Sequence, residues 1–348
     1  MAAKKDVARD FSRPRIGIFG ATGAVGTEMI AVLHDKKVPF SELRLYASER
    51  SVGKRIKTPS GEITVENANE ADYSQLDIAL FAIGGGWPAE NAPKATATGC
   101  FVIDNSSTFR YTEGVPLIIP QINPEAIGDS LLIANPNCTT AVAAIPLWVA
   151  YKRYGLKKVF VSTYQATSGA GAEAMQELLD ETRNYLDGKK VRNEHFIHPI
   201  PFNLIPQIDK FQDNGYTKEE MKVVWELRKI FGDQKIPISC TAVRIPTLRA
   251  HSETIVIETE KAVDPAEFRE LLRKTAGVEV KDDPSNSVYP MPLTATKKYD
   301  VEVGRIRQNL IFGDYGIDFF VAGDQLLRGA ALNAVEIAEL VMKRRKLG

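Results

Sequence analysis

The sequence contains few cysteines and no excess of charge. Its three cysteines, Cys100, Cys138 and Cys240, are odd in number and lack CxxC spacing, which argues against a disulfide framework and indicates a reducing compartment, the cytosol. The 44 basic and 44 acidic side chains cancel, so charge gives no reason to expect a nucleic acid or an anionic membrane as partner.

Long apolar runs are also missing. No uninterrupted apolar stretch reaches the roughly 18 residues of a membrane span, so no membrane partner is expected. Residues 1–15 hold no apolar signal-peptide core and predict a short disordered lead-in. Two of the four histidines, His195 and His198, lie three residues apart, but no third ligand accompanies them, and we predict no metal site.

The length and the order of apolar patterns predict two domains of the α/β class. A chain of 348 residues exceeds what a single core usually supports. Residues 1–137 alternate short apolar runs with helical patterns, which predicts βαβ units and a Rossmann-type parallel sheet. The expected elements of this sheet domain are a helix at 24–35 and strands at 15–19, 43–47, 77–82, 101–104 and 131–134.

Residues 138–325 predict a second, mixed α+β domain. Its expected helices are at about 139–154, 173–184 and 218–231, and its expected strands are at 158–164, 239–245 and 253–258. A last helix at 332–342 carries one apolar stripe. We expect this helix, within the segment of about 326–348, to complete the first domain.

A glycine-rich loop separates the first predicted strand from the first predicted helix. Gly20, Gly23 and Gly26 have GxxGxxG spacing, a variant of the better-known GxGxxG. Glycines let the backbone turn tightly and approach a pyrophosphate, whose charge meets the helix N-terminus. The alternative is a plain turn. We predict a dinucleotide loop, in which Gly20 and Gly23 approach the cofactor.

The end of the second predicted strand distinguishes the two nicotinamide cofactors. NAD-binding proteins usually place an acidic residue there to hold the ribose hydroxyls. This chain instead has Ser48, Arg50 and Ser51, which suit a 2′-phosphate because arginine binds phosphate in a bidentate way. Glu49 is expected to point to solvent, and a solvated surface loop is the alternative. The segment predicts NADP.

The stretch Asn135-Pro136-Asn137-Cys138-Thr139-Thr140 is the most informative of the chain. Pro136 ends a strand, Asn137 is a plausible N-cap, and Cys138 falls in the first turn of a helix, where unpaired N–H groups and the dipole lower the pKa of a thiol. The same N–H groups are expected to stabilise an oxyanion. An inert buried thiol is the alternative, and it suits Cys100 and Cys240, which lie in apolar strand-like runs.

Seven segments resemble aspartate-semialdehyde dehydrogenases and occur in the order found in that family. They run from Gly20 to Ala331 and read GATGAVG, DNSSTFR, NPNCTT, STYQATSGAG, EEMK, RIPTLRAHSE and GDQLLRGAA. The resemblance implies an NADP-dependent enzyme that reductively dephosphorylates L-aspartyl-4-phosphate to L-aspartate 4-semialdehyde, in the biosynthesis of lysine, threonine and methionine. It also implies a homodimer or homotetramer.

The same resemblance implies roles for individual residues. Cys138 would form the thioester, His251 would act as acid and base, and Gln165 would orient the substrate. The remaining implied contacts are Glu219 for the substrate amine, Arg244 for its carboxylate, Arg110, Asn137 and Lys222 for phosphate, and Thr22, Ala24, Val25, Arg50, Ser51, Ser168, Gly169 and Gln325 for the cofactor. The resemblance also implies that residues 138–325 form the catalytic and dimerisation domain. Glu220, beside Glu219, leaves that assignment open. From the residues alone, Glu219 and Lys222 at i, i+3 suit a surface ion pair equally well, and His251 suits a polar core.

Two kinds of rival function stay open at this stage. N-acetyl-γ-glutamyl-phosphate reductase and relatives of glyceraldehyde-3-phosphate dehydrogenase share a Rossmann domain and a Cys/His pair. The spacing of Arg244 and His251 and the segment at 219–222 favour the aspartate enzyme, which must bind a free amine. A non-catalytic NADP-binding sensor would leave Cys138, Gln165 and His251 without a purpose.

Overall fold

The computed structural model describes residues 9–347 and forms two compact units. The first contains the described chain up to Pro120, Pro124–Asn135 and the chain from Asn333; the second contains Gln121–Asn123 and Pro136–Leu332. Residues 1–8 of the predicted lead-in at 1–15 lie outside the described residues. The domain boundaries at 137/138 and about 326 stay predictions. Across residues 9–347 no helix has both the length and the apolar character needed to span a bilayer.

The first unit contains a seven-stranded sheet. Its strands are β1 (Arg15–Phe19), β2 (Glu42–Ala47), β3 (Arg55–Thr58), β4 (Gly61–Asn67), β5 (Ile78–Phe81), β6 (Phe101–Asp104) and β7 (Leu132–Ala134). They lie in the order β3-β4-β2-β1-β5-β6-β7, and every neighbouring pair is parallel except the β3–β4 hairpin. The predicted Rossmann-type parallel sheet is confirmed.

Within its described residues, this unit contains the helices α1 (Ala24–Asp35), α2 (Trp87–Ala97) and α8 (Leu332–Leu347). The bounds predicted for β1 and α1 are confirmed. The hairpin and α2 were missed, because β3 and β4 are mostly polar and α2 carries two prolines, one in its first turn and one inside. The carboxyl-terminal helix is joined to α1 by an ion pair of 3.2 Å between Lys36 Nζ and a Glu339 oxygen.

Aromatic side chains fill part of the core of the first unit. Phe19 stacks on Tyr46, with ring centroids 4.5 Å apart, and contacts Phe81 and Trp87 edge-on or tilted at 5.0 and 5.4 Å. Phe19, Tyr46 and Phe81 are fully buried, and each such side chain stabilises the fold by about 1.5–3 kcal/mol. Because Phe19 is the last residue of β1, this packing also fixes where the glycine loop begins.

The second unit contains a six-stranded mixed sheet. Its strands are β8 (Lys158–Gln165), β9 (Ile238–Arg244), β10 (His251–Glu258), β11 (Val278–Val280), β12 (Val301–Asn309) and β13 (Gly313–Gly323). The order is β11-β12-β13-β10-β8-β9, parallel between β8 and β9 and between β11 and β12 and antiparallel elsewhere. The prediction of a second, mixed α+β domain is confirmed.

The helices of this unit are α3 (Cys138–Tyr154), α4 (Ala172–Leu186), α5 (Lys218–Phe231), α6 (Pro265–Arg273) and α7 (Pro292–Ala295), and a π-helical turn spans Leu327–Ala331. The predicted α3, α4 and α5 are confirmed to within two residues at each end. The strands β12 and β13 were missed, because charged side chains and glycines interrupt their apolar pattern.

Candidate active site

Cys138 is the first residue of α3, as predicted. The side chain of Asn137 caps this helix, and its Oδ1 accepts from the N–H groups of Thr139 at 3.0 Å and Thr140 at 3.3 Å. The predicted N-cap is therefore confirmed. These two N–H groups are already paired, so the expectation that they stabilise an oxyanion is wrong for Thr139 and Thr140.

The imidazole of His251, the first residue of β10, lies beside the thiol. Its Nε2 is 3.5 Å from Cys138 Sγ, and its Nδ1 accepts from the N–H of Ala166 at 3.0 Å. Because a backbone N–H can only donate, the neutral ring carries its proton on Nε2, facing the sulfur. Burial, and next the charge of Arg244, lower the pKa of His251 to about 3, against the attraction of Glu219. The ring is therefore neutral at physiological pH.

The residue before His251 has a strained backbone. Ala250 has a φ of 69°, in the left-handed region that non-glycine residues rarely adopt, and its N–H donates to Gln325 Oε1 at 2.9 Å. Gln325 Nε2 in turn donates to Ser168 Oγ. A Cβ on Gly169 would come within 3.1 Å of His251 Cε1. Three residues predicted to contact the cofactor thus lie around the histidine.

Strand pairing brings Gln165 and Arg244 together. These residues are opposite each other at the ends of the parallel strands β8 and β9. Gln165 Nε2 donates to Glu219 Oε1 at 3.2 Å, and Arg244 Nη1 donates to the carbonyl of Ala166 at 2.5 Å. Burial lowers the pKa of Arg244, but an arginine stays charged in proteins. The site therefore holds a buried cation beside an amide.

The structure distinguishes Glu219 from Glu220. Glu220 forms a capping box with Thr217 at the start of α5, and its Oε1 accepts from the N–H of Ala242 at 2.9 Å. Its carboxylate is thus bound to backbone groups. Glu219, one residue earlier, faces Asn137 and Gln165 instead. Of the two acids, Glu219 is the one beside the other candidate site residues.

Glu219 is the centre of a buried charge cluster. Its carboxylate accepts from Asn137 Nδ2 at 3.0 Å and from Lys222 Nζ at 2.9 Å, and Lys222 also contacts Asp209 at 2.9 Å. Burial alone would raise the pKa of Glu219, but Lys222 and the hydrogen bonds from Lys222, Asn137 and Gln165 lower it to about 2. The ion pair between Glu219 and Lys222 does form, and it is largely buried rather than on the surface.

In the first unit, the glycine loop has the backbone that a dinucleotide loop needs. Gly20 has a φ of 88°, and a Cβ on Gly26 would lie 2.1 Å from the carbonyl oxygen of Gly20. Only glycine permits so close an approach of the loop to α1. Gly23 is the N-cap of α1. The hydroxyl of Thr22 is 3.4 Å from that of Ser51, so the loop and the end of β2 meet.

The residues between β2 and β3 form a short 3₁₀ turn at Glu49–Ser51. Ser48, Glu49 and Arg50 are exposed there, whereas Ser51 is buried. The expectation that Glu49 points to solvent is confirmed. The guanidinium of Arg50 is accessible to a ligand.

Arg110, predicted to bind phosphate, is buried in the first unit. Its Nε donates to the carbonyl of Asn135 at 2.8 Å and its Nη2 to the carbonyl of Asn105 at 2.7 Å. These bonds hold the guanidinium at the end of β7. Its role toward phosphate stays a prediction.

The other two cysteines have the properties of inert thiols. Cys100 and Cys240 are buried, whereas Cys138 is partly exposed. Burial raises the pKa of the Cys100 thiol to about 12 and that of the Cys240 thiol well above its usual value. The predicted burial of these two thiols is confirmed. A thiol that stays protonated is a poor nucleophile, so both are expected to be inert.

Several residues near the site were not predicted from the sequence. Thr163 Oγ1 donates to Gln165 Oε1 at 2.9 Å, Asp209 contacts Lys222, and a Cβ on Gly329 would lie 2.8 Å from Cys138 Cβ. Strand alternation would have found Thr163, which is two residues before Gln165 on one face of β8. Asp209 lies far from Lys222 along the chain, and nothing in the local pattern marks it. Gly329 lies in the segment GDQLLRGAA, but nothing in that segment indicates its approach to Cys138.

Two family models match the chain in succession. The semialdehyde dehydrogenase NAD-binding domain matches residues 15–130, and the semialdehyde dehydrogenase dimerisation domain matches residues 147–328. The aspartate-semialdehyde dehydrogenase of Aquifex aeolicus is 46% identical over 334 residues, covering 94% of this chain and 98% of the relative. This chain belongs to the aspartate-semialdehyde dehydrogenase family. The resemblance seen in the seven sequence segments is confirmed.

Other members of the aspartate-semialdehyde dehydrogenase family are similar in sequence and in structure. Aspartate-semialdehyde dehydrogenase 2 of Vibrio cholerae is 43% identical and covers 94% of this chain and 97% of its own. A crystal structure of aspartate semialdehyde dehydrogenase II from the same organism, complexed with ASA, superposes with a TM-score of 0.92 at 42% identity, covering 95% of this chain and 98% of its own. As a member of this family, the chain is an oxidoreductase of amino-acid biosynthesis.

Proposed function

We propose that this enzyme converts L-aspartyl-4-phosphate into L-aspartate 4-semialdehyde and phosphate with NADPH, through a thioester on Cys138. The observation that carries the proposal is the 3.5 Å contact between Cys138 Sγ at the start of α3 and His251 Nε2. A helix N-terminus favours a thiolate, which is the reactive form of the side chain. When bound, NADPH supplies the hydride that reduces the thioester.

Cys138 and His251 divide the chemistry between them. The Cys138 thiolate attacks the acyl carbon, the bond from that carbon to the phosphate oxygen breaks, and phosphate leaves. After reduction the bond from carbon to Sγ breaks, the aldehyde is released, and the thiolate returns. His251 donates from Nε2–H to the oxygen that carries negative charge in each step. A second proton on Nδ1 would face the N–H of Ala166, so the ring works as a neutral donor.

The substrate amine and carboxylate match two groups of the second unit. Glu219, ionised and buried, suits the ammonium group, and Arg244, also buried, suits the α-carboxylate. Gln165, which contacts Glu219 and pairs with Arg244 across two strands, lies between them. A substrate with an acylated nitrogen has no charge to offer Glu219. This supports aspartyl phosphate over N-acetylglutamyl phosphate.

Lys222 is proposed to bind the transferred phosphate together with Asn137. An ammonium group has three donors, and the carboxylates of Glu219 and Asp209 take two of them. The third donor is left for a phosphate oxygen. The same helix would then bind the amine through Glu219 and the phosphate one turn later.

A panel assay tests the proposed reaction. With NADP and phosphate, NADPH should form rapidly from L-aspartate semialdehyde and at least about 10³-fold more slowly from N-acetylglutamate semialdehyde or glyceraldehyde 3-phosphate, because a site built to pair charged groups rejects substrates lacking them. The formation of NADPH is followed by its absorbance. Equal rates with N-acetylglutamate semialdehyde would contradict the proposal, and no NADPH with any substrate would favour a non-catalytic sensor.

NADP is the proposed cofactor, and Arg50 the residue that reads its 2′-phosphate. The Arg50→Ala variant should raise the KM for NADP by roughly 10- to 100-fold, because a hydrogen bond to a charged group contributes about 1.5–3 kcal/mol. The KM for NAD should change little. The exposed neighbour Glu49, changed to Ala, is the matched control. An equal rise for NAD and NADP would show that Arg50 does not contact the 2′-phosphate.

We also propose that the enzyme forms a homodimer through the open face of its second sheet, in the cytoplasm. Along β8 buried and exposed residues alternate, and the exposed side carries Phe160 and Tyr164 with 44% and 36% of their surface accessible. Tyr164 stacks on Phe320 of β13 at 6.2 Å. A sheet face with aromatic side chains is typical of an interface, and a second copy of the chain is the proposed partner.

A further inference from the structure

We propose that Glu226 is a positioning residue, which holds the Cys138 nucleophile in place through the backbone of Asn137. Glu226 is fully buried in α5. Its Oε2 accepts from the N–H of Asn137 at 2.6 Å. The residue bound in this way directly precedes the nucleophile. The inference rests on the proposed thioester function and adds to it a residue that does not touch the substrate.

Helical spacing explains why Glu226 reaches this position. Glu219, Lys222 and Glu226 follow one another at intervals of three and four residues, so they lie on one face of α5. Glu219 accepts from the side chain of Asn137 at 3.0 Å, and Glu226 accepts from its main chain. Two acids of one helix therefore bind Asn137, one through its main-chain N–H and the other through its side-chain amide.

These two hydrogen bonds fix the geometry of the turn that carries Cys138. Asn137 Oδ1 accepts from Thr139 N–H at 3.0 Å, so a residue bound to α5 also caps α3. Cys138 lies between the two, as the first residue of the helix. With Asn137 bound at its N–H, its amide nitrogen and its amide oxygen, the turn that orients Cys138 has little freedom left.

Small displacements at a reacting centre reduce the rate strongly. A misplacement of about 1 Å can cost about 100-fold. The contact from Sγ to His251 Nε2 is 3.5 Å, so a shift of the turn that carries Cys138 would change this distance directly. Loss of the Glu226 acceptor would leave the Asn137 N–H buried without that partner and would let the turn shift. Substrate recognition by Glu219 and Arg244 would be altered less.

The experiment compares Glu226→Leu with the nearly isosteric Glu226→Gln, which keeps an acceptor oxygen. The readout is the single-turnover burst of NADPH from L-aspartate semialdehyde and NADP, which reports thioester formation. We expect the burst rate to fall at least about 30-fold in Glu226→Leu and no more than about 10-fold in Glu226→Gln, with the KM for semialdehyde within about 3-fold of wild type.

Glu220→Gln is the matched control. Glu220 is on the same helix, is buried, and also accepts from backbone N–H groups, but those of Thr217 and Ala242. Its burst rate should stay within about 2-fold of wild type. A burst within 2-fold of wild type in Glu226→Leu would overturn the proposal. A loss in Glu220→Gln as large as that in Glu226→Leu would do the same, because it would indicate general disturbance of α5.

Amide hydrogen exchange of the Asn137 N–H, measured by NMR, tests the contact without any assumption about the reaction. Exchange should be at least about 10-fold faster in Glu226→Leu than in wild type and unchanged in Glu220→Gln, because opening the hydrogen bond exposes the amide. Unchanged exchange in Glu226→Leu would overturn the positioning role. Absence of a burst in the wild-type enzyme would instead contradict the proposed function. In that case the exchange rate alone would show whether Glu226 holds the Asn137 N–H.

Discussion

The Cys138→Ala variant is expected to lose turnover, with kcat below about 1% of wild type, because removing a covalent nucleophile costs several orders of magnitude in rate. NADP binding should be nearly unchanged, since the glycine loop and the 3₁₀ turn at Glu49–Ser51 lie in the first unit. Steady-state kinetics and NADP titration by fluorescence measure the two properties. Retention of more than a few per cent of kcat would exclude the covalent mechanism.

Cys100→Ala and Cys240→Ala are the controls for this loss. Both thiols are buried, and burial raises the pKa of each. Their removal should spare kcat and lower stability by about 1 kcal/mol, the usual cost of a small truncation in a core. A loss of kcat without a loss of stability in either control would identify a different nucleophile.

Lys222→Met is expected to impair the use of phosphate strongly. If Lys222 binds phosphate, the KM for phosphate in the phosphorylating direction should rise about 10- to 100-fold, from the loss of a charged hydrogen bond worth about 1.5–3 kcal/mol. The NADPH burst from semialdehyde at neutral pH should survive, because phosphate enters only after the thioester has formed. Single-turnover kinetics and phosphate titration measure the two steps separately.

The ion pair with Glu219 adds a pH signature to this prediction. In the wild type the charge of Lys222 and the hydrogen bonds to Glu219 keep the pKa of Glu219 at about 2. Its carboxylate therefore stays charged throughout the pH range in which the enzyme works. Without Lys222 that pKa must rise, and semialdehyde binding should weaken as pH falls toward the new value. Asp209→Asn, which removes the other partner of Lys222, is the control and should leave this pH dependence unchanged. A normal KM for phosphate in Lys222→Met would show that Lys222 does not bind phosphate.

His251 illustrates how far the sequence could go in describing the site. Its motif indicated an acid and base beside Cys138, and the structure places the two side chains 3.5 Å apart. The tautomer depends on the N–H of Ala166, 85 residues earlier in the chain. Since no local pattern relates Ala166 to His251, the protonation of the ring was open until the strands β8 and β10 were paired.

Sequence alone was enough for features that depend on neighbours along the chain. The bounds of β1 and α1, the capping of α3 by Asn137 and the place of Cys138 in its first turn all follow from short-range patterns of glycine, proline and apolar residues. These patterns act through backbone conformation and local hydrogen bonds, so they are readable within a few residues. Membership of the family could also be inferred from short segments, because their order along the chain can be recognised without knowing the fold.

Tertiary structure decided which side chains meet. It showed that Glu219 rather than Glu220 faces Asn137, and that Glu226 binds the Asn137 backbone 89 residues away. It also showed that two first-turn N–H groups are occupied by the cap. Burial and charge at such contacts set the ionisation of each group, and both arise only when α3, α5 and the second sheet pack together.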